Sequence, residues 1–580
     1  MLKMNKLIYI FLLILLVACQ DELNLTPPDK ISPSKAFASE GDLELYVNSF
    51  YQVLPSATDV SHGDGLSDYF VGRTISSYLQ KSYNSTQAGG WTWSDLRNIN
   101  YFLENYHKAE ISDELKANYA GIAKFFRAYF YMEKVKRFGD VPWYNKTMDV
   151  DDPDLYKGRD SRTLVMDSVL ADINFACDHI LADKDVSCTT ITKWVALAYK
   201  SRICLYEGTF RKYHTELGLE PTAAYWLGQA SEAAKKVMDS GTYSINVLSD
   251  ASKSYRDLFI NEVPNSKEIM LAAVCSEELR VLNDANWYWT STTYGGRFSF
   301  IKSFINTYLK VDGARFTDTE NFNDKPFWSE VKNRDLRLKQ TIRMGDYSRE
   351  GIAAPPDFTY TYSGYMPYKF TLDSKATDGV SENANSLPLI RYAEVLLNYA
   401  EAKAELGTFN DDDWNKTINV LRSRAGIKST SIPQTVDVYL QQNFFPNVSD
   451  KIILEVRRER SVELAMEGFR YSDLMRWKTG KLLEMTYDGM FVPALNTPLD
   501  LNEDGKLDVS FVNAIPTDKI SGVYYFVIDN NQFRLMEVDK GILILFSNLE
   551  RNFDDHKYYY PIPYDEIVLN PNLSQNPGWQ

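Results

Sequence analysis

Apolar residues in the first half of the chain recur every three or four positions, which is the period of a helix with one buried face. The clearest case is residues 121–138, in which Ile122, Phe125 and Tyr129 share one face. Gly139 follows this run directly, and glycine is common where a helix ends. The same period predicts further helices over residues 43–54, 164–181, 191–206, 223–238, 389–406 and 451–477.

The segments between these helices are long and rich in glycine, proline, asparagine, aspartate and aromatic residues. They cover residues 283–297, 321–327, 347–385 and 493–548. The predicted fold is therefore mostly α, with tetratricopeptide-like helix pairs that carry long irregular loops and few short strands. Because loops on a rigid frame usually carry the function, candidate binding residues are sought in these segments.

The N-terminus has the pattern of a cleaved export signal. Two lysines precede twelve uninterrupted apolar residues, 7–18, and such a run is too short to cross a bilayer as a helix. Leu16, Val17 and Ala18 then lead to Cys19 in the order of a bacterial lipobox. Residues 1–18 are therefore predicted to be removed, and Cys19 to carry the acyl chains that alone anchor the chain to a membrane. The acidic pair after Gln20 resembles a signal for the outer face of the outer membrane.

The charge and the cysteine spacing of the chain argue against several classes of partner and site. The chain has 63 basic and 78 acidic residues, a net charge of −15, and no basic block, which argues against a nucleic-acid partner. Beyond Cys19 the cysteines lack the Cys-x-x-Cys spacing of zinc and redox sites. We interpret Cys177 and Cys204 as small core residues. A single disulfide is kept as an alternative, because an exported protein meets an oxidising compartment.

We expect no enzymatic activity. The sequence has no Gly-x-Ser-x-Gly elbow, no His-Glu-x-x-His helix and no phosphate-binding Gly-x-x-x-x-Gly-Lys loop. A carboxylate pair for glycoside hydrolysis leaves no mark in a sequence, so a lipid-anchored glycosidase is kept as the alternative.

Four glutamates recur every four residues in the last predicted helix: Glu455, Glu459, Glu463 and Glu467. A metal-carboxylate bundle normally adds a Glu-x-x-His element, which is missing here. Buried charges persist only when they are paired. We therefore predict a structural ion-pair network with arginines: Arg458, Arg460, Arg470, Arg391, Arg422 and Arg424.

Five ordered motifs resemble the SusD/RagB family of nutrient-uptake lipoproteins. The first motif, which lies in the first half, is Phe126-Arg127-Ala128-Tyr129-Phe130 with Arg137-Phe138-Gly139-Asp140-Val141-Pro142. The second is Arg391-Tyr392-Ala393-Glu394-Val395-Leu396-Leu397. The others are Leu421-Arg422-Ser423-Arg424-Ala425-Gly426, the segment from Arg458 to Trp477, and the tail from Pro561 to Gly578.

The resemblance implies four tetratricopeptide-like helix pairs in a chain divided into a signal (1–18), an N-terminal helical part (19–245) and a C-terminal part (246–580). The two parts are expected to pack as one globular unit. The resemblance also implies a protein partner, a SusC-like TonB-dependent outer-membrane barrel. The implied ligand is an oligo- or polysaccharide, with peptides as a second ligand class. A scaffold without a ligand is the third function considered, and the identity of the glycan stays open.

Aromatic residues in the loops are the candidate glycan contacts, because rings stack on the apolar faces of sugars. The first cluster contains Trp287, Tyr288, Trp289, Tyr294 and Arg297. It lies just before Lys310-Val311-Asp312-Gly313, which resembles a landmark that follows a ligand-lining region in the SusD/RagB family. In an extended segment successive side chains alternate faces, so at least one of the three consecutive rings should be exposed. The second cluster contains Tyr69, Phe70, Arg73, Trp91 and Trp93.

A calcium-loop spacing lies near the C-terminus. Oxygen donors alternate as they do in such loops, in the order Asp500, Asn502, Asp504, Lys506 (through its carbonyl) and Asp508, with Gly505 at the sixth position. The twelfth position is Phe511 instead of glutamate. No cofactor is expected to be required, and calcium here would be structural. A plain Asp/Asn/Gly turn is the alternative.

The lipobox leads to a first prediction. Replacing Cys19 by alanine should leave the protein out of the membrane fraction, because the apolar run is cleaved and the acyl anchor is lost. Fractionation of cells that lack the transporter partner checks this. A variant that stays tightly membrane-bound would contradict the lipoprotein interpretation.

Overall fold

The computed structural model describes residues 37–290, 296–428 and 430–579. Cys19 and the predicted signal lie outside the described residues. Between residues 40 and 341 the helices are, in chain order, α1 (Glu40–Asn48), α2 (Ala57–His62), α3 (Ser94–Asn105), α4 (Asp113–Phe138), α5 (Arg162–His179), α6 (Lys193–Tyr213), α7 (Ala223–Asp239), α8 (Ala285–Thr290), α9 (Lys302–Ile305), α10 (Phe327–Glu330) and α11 (Leu338–Thr341). Those that follow are α12 (Tyr392–Glu405), α13 (Asp411–Lys416), α14 (Ile418–Arg424), α15 (Val438–Asn443), α16 (Lys451–Glu463), α17 (Arg470–Arg476) and α18 (Tyr564–Leu569).

Helix α4 shows how the local sequence sets these boundaries. The Ser112 hydroxyl accepts the N–H of Leu115 at its start, and Asp113 and Glu114 favour the positive end of the helix dipole. At its end, Gly139 has a φ of 74°, a conformation that side chains with a Cβ rarely adopt. The predicted stop at Gly139 is confirmed.

The long helices pack in pairs, as predicted. Helix α4 packs on α5, and α6 packs on α7. Helix α12 then contacts α6, α7 and α16, which joins the later helices to the earlier pairs. The mostly helical, tetratricopeptide-like fold class is confirmed. One boundary differs, because residues 389–391 form the end of a strand and α12 begins only at Tyr392.

The strands are short: β1 (Phe70–Val71), β2 (Ile269–Ala273), β3 (Ser299–Phe300), β4 (Ser348–Arg349), β5 (Ile352–Ala353), β6 (Leu387–Arg391), β7 (Asp488–Val492), β8 (Pro498–Leu499), β9 (Val509–Val512), β10 (Tyr524–Val527), β11 (Phe533–Leu535) and β12 (Gly541–Leu545). Strands β1 and β3 pair antiparallel, as do β2 and β6, and β4 and β5. Strand β12 lies between β7 and β11 in one sheet, and β9 lies between β8 and β10 in another. Residues 493–548, predicted as an irregular segment, contain β8 to β12, which agree with the few short strands of the predicted fold class. Their apolar runs are only three to five residues long and give no period.

Two large apolar cores support the molecule. The first lies between the N-terminal helices and also takes in residues of later segments, such as Met270, Ile390, Val395 and Ile562. Residues from both sides of the predicted division at 245 therefore share this core. The second core lies under the loops and small sheets and contains Tyr69, Trp289 and Phe300 among others.

The predicted helix over 451–477 is broken. Helix α16 ends at Glu463 and α17 starts at Arg470, with positive φ at Met466 (72°) and Gly468 (81°) between them. The buried carboxylate of Asp64 accepts the N–H of Gly468 at 3.0 Å and that of Arg470 at 3.2 Å. This contact comes from a segment some 400 residues earlier in the chain, so the local period could not predict the break. Glu467 accordingly lies in the turn and not on a helix.

The glutamates form the predicted network, and it is buried. Glu463 is 0 % exposed and meets Arg391 at 2.6 Å, Arg337 at 2.9 Å and also Arg424. Burial alone would raise the pKa of this carboxyl, but the three arginines hold it far below its usual range. An ion-pair network between helices is confirmed.

Some of the predicted partners were wrong. Arg422 binds Glu455 and Glu459, and Arg458 binds Glu455, as expected. Arg460, however, donates to Asp473 at 2.8 Å, and Arg470 donates to Asp68 at 2.6 Å. Arg460 lies on α16 before the turn at 464–469 and contacts Asp473 of α17, whereas Arg470 follows the turn and contacts Asp68. Arg337 and Lys369 take the vacated positions beside Glu463 and Glu467.

All four cysteines within the described ranges are free: Cys177, Cys188, Cys204 and Cys275. The disulfide that the sequence left open is therefore not formed. Burial raises the pKa of Cys204 to about 12, which suits an inert core residue.

The network leads to a stability prediction. Glu463→Ala should lower the free energy of unfolding by about 3–5 kcal/mol, because it leaves buried arginines without their carboxylate. Glu232→Ala is the matched control, since Glu232 pairs with Lys236 at the surface and such pairs contribute about 0–1 kcal/mol.

Denaturant unfolding of both variants measures the difference. Equal effects would contradict a structural network. Loss of a stoichiometric metal ion from Glu463→Ala would favour the metal-carboxylate alternative.

Candidate functional site

The first aromatic cluster lies on a short helix. Trp287, Tyr288 and Trp289 belong to α8 and not to an extended strand, so the expected alternation of faces does not apply. Trp289 is 4 % exposed and packs on Phe70 at 5.4 Å between ring centroids. Trp287 and Tyr288 are half-buried. Trp289 is therefore a core residue, which corrects its prediction as a ligand contact.

The second predicted cluster is not one cluster. Tyr69 is 1 % exposed, and its hydroxyl donates to Asp64 at 2.5 Å and accepts the N–H of Met466 at 2.9 Å. It supports the turn between α16 and α17 and is not available to a ligand. Arg73 is exposed on the same segment. Trp91 and Trp93 belong to the other apolar core.

Tyr288 and Phe298 lie against each other, and Trp287 precedes Tyr288 on α8. We call these three half-buried rings the aromatic surface. Tyr288 stacks on His62 with ring centroids 3.5 Å apart, and Phe298 lies 5.9 Å from Tyr288. The Phe298 ring also lies against the backbone of residue 72. That residue has to be glycine, because a Cβ on Gly72 would meet the Phe298 ring at 2.6 Å. No period or motif in the sequence singles out His62 or Phe298.

Helix α8 is held in place by polar contacts at its start. The Asn286 side chain donates to the Leu372 carbonyl at 3.0 Å and to Asp378 at 3.1 Å, and accepts the Leu372 N–H at 2.6 Å. Asp284 lies 3.0 Å from His62, an ion pair when the histidine is protonated. The rings therefore sit on a fixed support, as a preorganised binding surface requires.

Arg297 joins this support to a neighbouring loop. It donates to the Phe358 carbonyl at 3.1 Å and to the Tyr362 hydroxyl at 3.2 Å, and it lies 4.7 Å from the centre of that ring. The half-buried Arg297 thus positions residues 358–362 beside the aromatic surface. Tyr294 lies outside the described residues.

Trp91 and Trp93 line a separate cleft of about 490 Å³. Trp93 is half-buried, and Arg97, Tyr144 and Asn570 also line the cleft. Trp91 packs edge-on against Phe138, which explains why it is only 7 % exposed. Rings beside an arginine and an amide suit a sugar, so this cleft is the second candidate position for a ligand.

The predicted calcium loop forms a compact turn. The Asp500 carboxylate accepts the N–H groups of Asn502, Asp504 and Gly505 at 2.8–3.3 Å. Asp508 accepts the Leu501 N–H at 2.7 Å. Burial, together with the nearby charges of Asp500 and Asp504, raises the pKa of Asp508 to about 6.

Within residues 37–290, 296–428 and 430–579, no three His, Cys, Asp or Glu side chains are grouped as metal ligands. Phe511, where a calcium loop has its glutamate, is fully buried. Amide and carbonyl oxygens would therefore have to complete any calcium site. In the same ranges no helix combines the length and the apolar character that a membrane span requires.

Comparisons with known proteins place this geometry in context. The SusD family model matches residues 278–579, and a second model, described as starch-binding associating with outer membrane, matches residues 39–198. SusD-like protein P2 of Formosa agariphila is 25 % identical over 522 residues, which cover 82 % of this chain and 91 % of that protein. SusD-like protein P38 of the same organism is 24 % identical over 499 residues, covering 81 % and 89 %.

Solved structures share the fold. A SusD-like protein from Bacteroides fragilis superimposes with a TM-score of 0.67 at 20 % identity, covering 96 % of this chain and 100 % of that one. A SusD-like carbohydrate-binding protein from the same species gives a TM-score of 0.67 at 20 % identity, covering 93 % and 99 %. At this identity the likeness establishes the fold alone.

Proposed function

This chain belongs to the SusD/RagB family, and from that premise we propose that it is an outer-membrane lipoprotein that binds nutrient glycans without chemically changing them. The description of the second matching family model, starch-binding associating with outer membrane, supports both the ligand class and the location. Peptides are the second ligand class.

The aromatic surface is the observation that carries the proposal. Trp287, Tyr288 and Phe298 are half-buried rings on a support that Asn286 and Arg297 fix. A sugar ring presents an apolar face edged by hydroxyl groups, so it can stack on such rings while polar side chains meet its edge. Because the rings are already held in place, binding orders few side chains.

Delivery to a transporter is the second part of the proposal. The expected lipid anchor at Cys19 would hold the protein beside a SusC-like TonB-dependent barrel in the same membrane, which raises their effective concentration. A gene for such a barrel next to the gene for this chain, with hydrolase genes nearby, would support the partner and indicate the glycan.

Ligand binding is tested by Trp287→Ala combined with Tyr288→Ala. We expect this variant to bind glycans about tenfold more weakly or not at all, since each stacked ring is lost. Its melting temperature should change little compared with Trp289→Ala. That control removes a core ring and should cost about 3–5 kcal/mol of stability. Titration of a polysaccharide panel beside a melting experiment measures both effects.

The outcomes separate the competing functions. Unchanged affinity in the double variant would move the site to the cleft at Trp91 and Trp93, where Trp93→Ala is the next variant. Absence of binding to every glycan and peptide tested would favour the scaffold. Shortening of a glycan by the purified protein would favour the glycosidase.

We further propose a structural calcium ion at the loop from Asp500 to Asp508. Calcium in the range of about 0.1–1 mM should raise the melting temperature, because it binds the folded loop. Magnesium should not do so, and Asp500→Asn should abolish the effect. Asp529→Asn is the matched control, because Asp529 also caps a turn through three N–H groups. An unchanged melting temperature after addition of calcium would contradict the proposal.

A further inference from the structure

One buried arginine stands apart from all the others. Arg343 is 6 % exposed, and its Nε has no hydrogen-bond partner. No ion pair or side-chain hydrogen bond from Arg343 to the described residues is formed. Its backbone N–H is bound to the Met366 carbonyl at 2.9 Å, which fixes where the side chain starts.

Every other buried arginine in the described ranges donates at least one side-chain hydrogen bond to a carboxylate or a carbonyl. They are Arg127, Arg162, Arg211, Arg256, Arg334, Arg337, Arg349, Arg391, Arg422, Arg424, Arg457, Arg458, Arg460, Arg470 and Arg476. A fold that pairs its buried guanidinium groups so thoroughly leaves Arg343 as an exception that needs a reason.

The carboxylates near Arg343 are already engaged. Asp378 binds Arg349 at 2.9 Å. Asp373 binds Arg256 at 2.9 Å and accepts the Tyr347 hydroxyl at 2.7 Å. Asp357 accepts the N–H of Thr359. The Arg343 guanidinium lies 5.3 Å from the Tyr347 ring, and burial lowers its pKa, as desolvation does when no close carboxylate offsets it.

Arg343 is close to the proposed ligand surface. Asp378 is near enough to Arg343 to raise its pKa against the effect of burial, and the same carboxylate accepts hydrogen bonds from Arg349 and from Asn286 at the start of α8. Tyr360 belongs to the loop that Arg297 holds; burial raises the pKa of Tyr360, and the nearby charges of Arg343 and Arg349 lower it in part. A saccharide stacked on the aromatic surface could therefore extend an acidic substituent towards Arg343.

We propose that Arg343 is an anion-binding position that takes the carboxylate of a uronic acid or the sulfate ester of an acidic glycan. The inference rests on the proposed function for the glycan itself, but its central measurement needs only simple anions. A guanidinium binds either anion through two parallel N–H···O bonds, and such charge-assisted bonds are the strong ones.

The unpaired charge makes an unusual stability prediction. Removing one partner of a satisfied ion pair destabilises a protein, whereas removing a buried charge that has no partner relieves a desolvation cost. Arg343→Met should therefore melt at the same temperature as the wild type or higher. Arg349→Met, the matched control, breaks its bond to Asp378 and should melt lower.

The anion test compares the mature wild-type protein, Arg343→Met and Arg343→Lys in four solutions. These contain sodium glucuronate, sodium sulfate, sodium chloride or glucose, and the three salts are matched in ionic strength. Glucuronate or sulfate should raise the melting temperature of the wild type by about 1–3 °C more than that of Arg343→Met. The difference between proteins is the readout, because sulfate stabilises folded proteins in general. Arg343→Lys keeps the charge without the planar fork and should respond only in part.

A response to glucuronate supports a carboxylate ligand, and a response to sulfate alone supports a sulfate ester. Identical responses of wild type and Arg343→Met to every salt would overturn the inference. So would a lower melting temperature of Arg343→Met without salt that equals the loss in Arg349→Met. Either result would leave glycan binding at the aromatic surface intact, since that is tested separately with Trp287 and Tyr288.

Discussion

The structure depends on one constraint: arginines and carboxylates are buried together between helices, and each buried charge needs a partner of opposite charge. Glu463 lies against arginines from three separate segments, Arg337, Arg391 and Arg424. An isolated charge at these positions would cost several kcal/mol. The network therefore admits one relative placement of α12, α14 and α16, and the apolar cores fill the space around it.

This frame determines where the aromatic surface can be. Asp64 and Tyr69 bind the turn that follows α16, and the same segment continues into β1, which pairs with β3. Residues 296–298 lead into β3, and α8 is fixed through its residue Asn286, which binds Leu372 and Asp378 of the loop at 372–378. The rings of Trp287, Tyr288 and Phe298 are thus tied to the helical frame through two short strands and a set of amide contacts. Arg343 lies in the same region but departs from the rule that buried charges are paired.

The sequence predicted the frame better than the site. Helices with one apolar face, such as α4 with its stop at Gly139, carry a local period and were predicted. So was an ion-pair network between the glutamates and arginines of other helices such as Arg391 or Arg424, because buried charges need partners. The break at Gly468 was missed because it depends on Asp64, far away in the chain.

Two of the candidate ligand contacts were misjudged for a similar reason. Trp289 and Tyr69 are aromatic residues in loop-like sequence, yet long-range packing buries both. His62 and Phe298 help to build the surface, yet neither lies in a recognisable motif. Composition can indicate that rings are abundant, but only the tertiary structure decides which of them reach the solvent.

Hydrogen exchange with and without glycans tests the central claim most directly, since it reports where a ligand rests and whether the frame changes. The mature protein would be incubated with neutral, uronic and sulfated polysaccharides, and the glycans recovered afterwards. We expect slower exchange in residues 285–290, 296–298 and 357–362, unchanged exchange in α16, and glycans of unaltered length. Protection confined to the cleft at Trp91 and Trp93, or shortened glycans, would contradict the account.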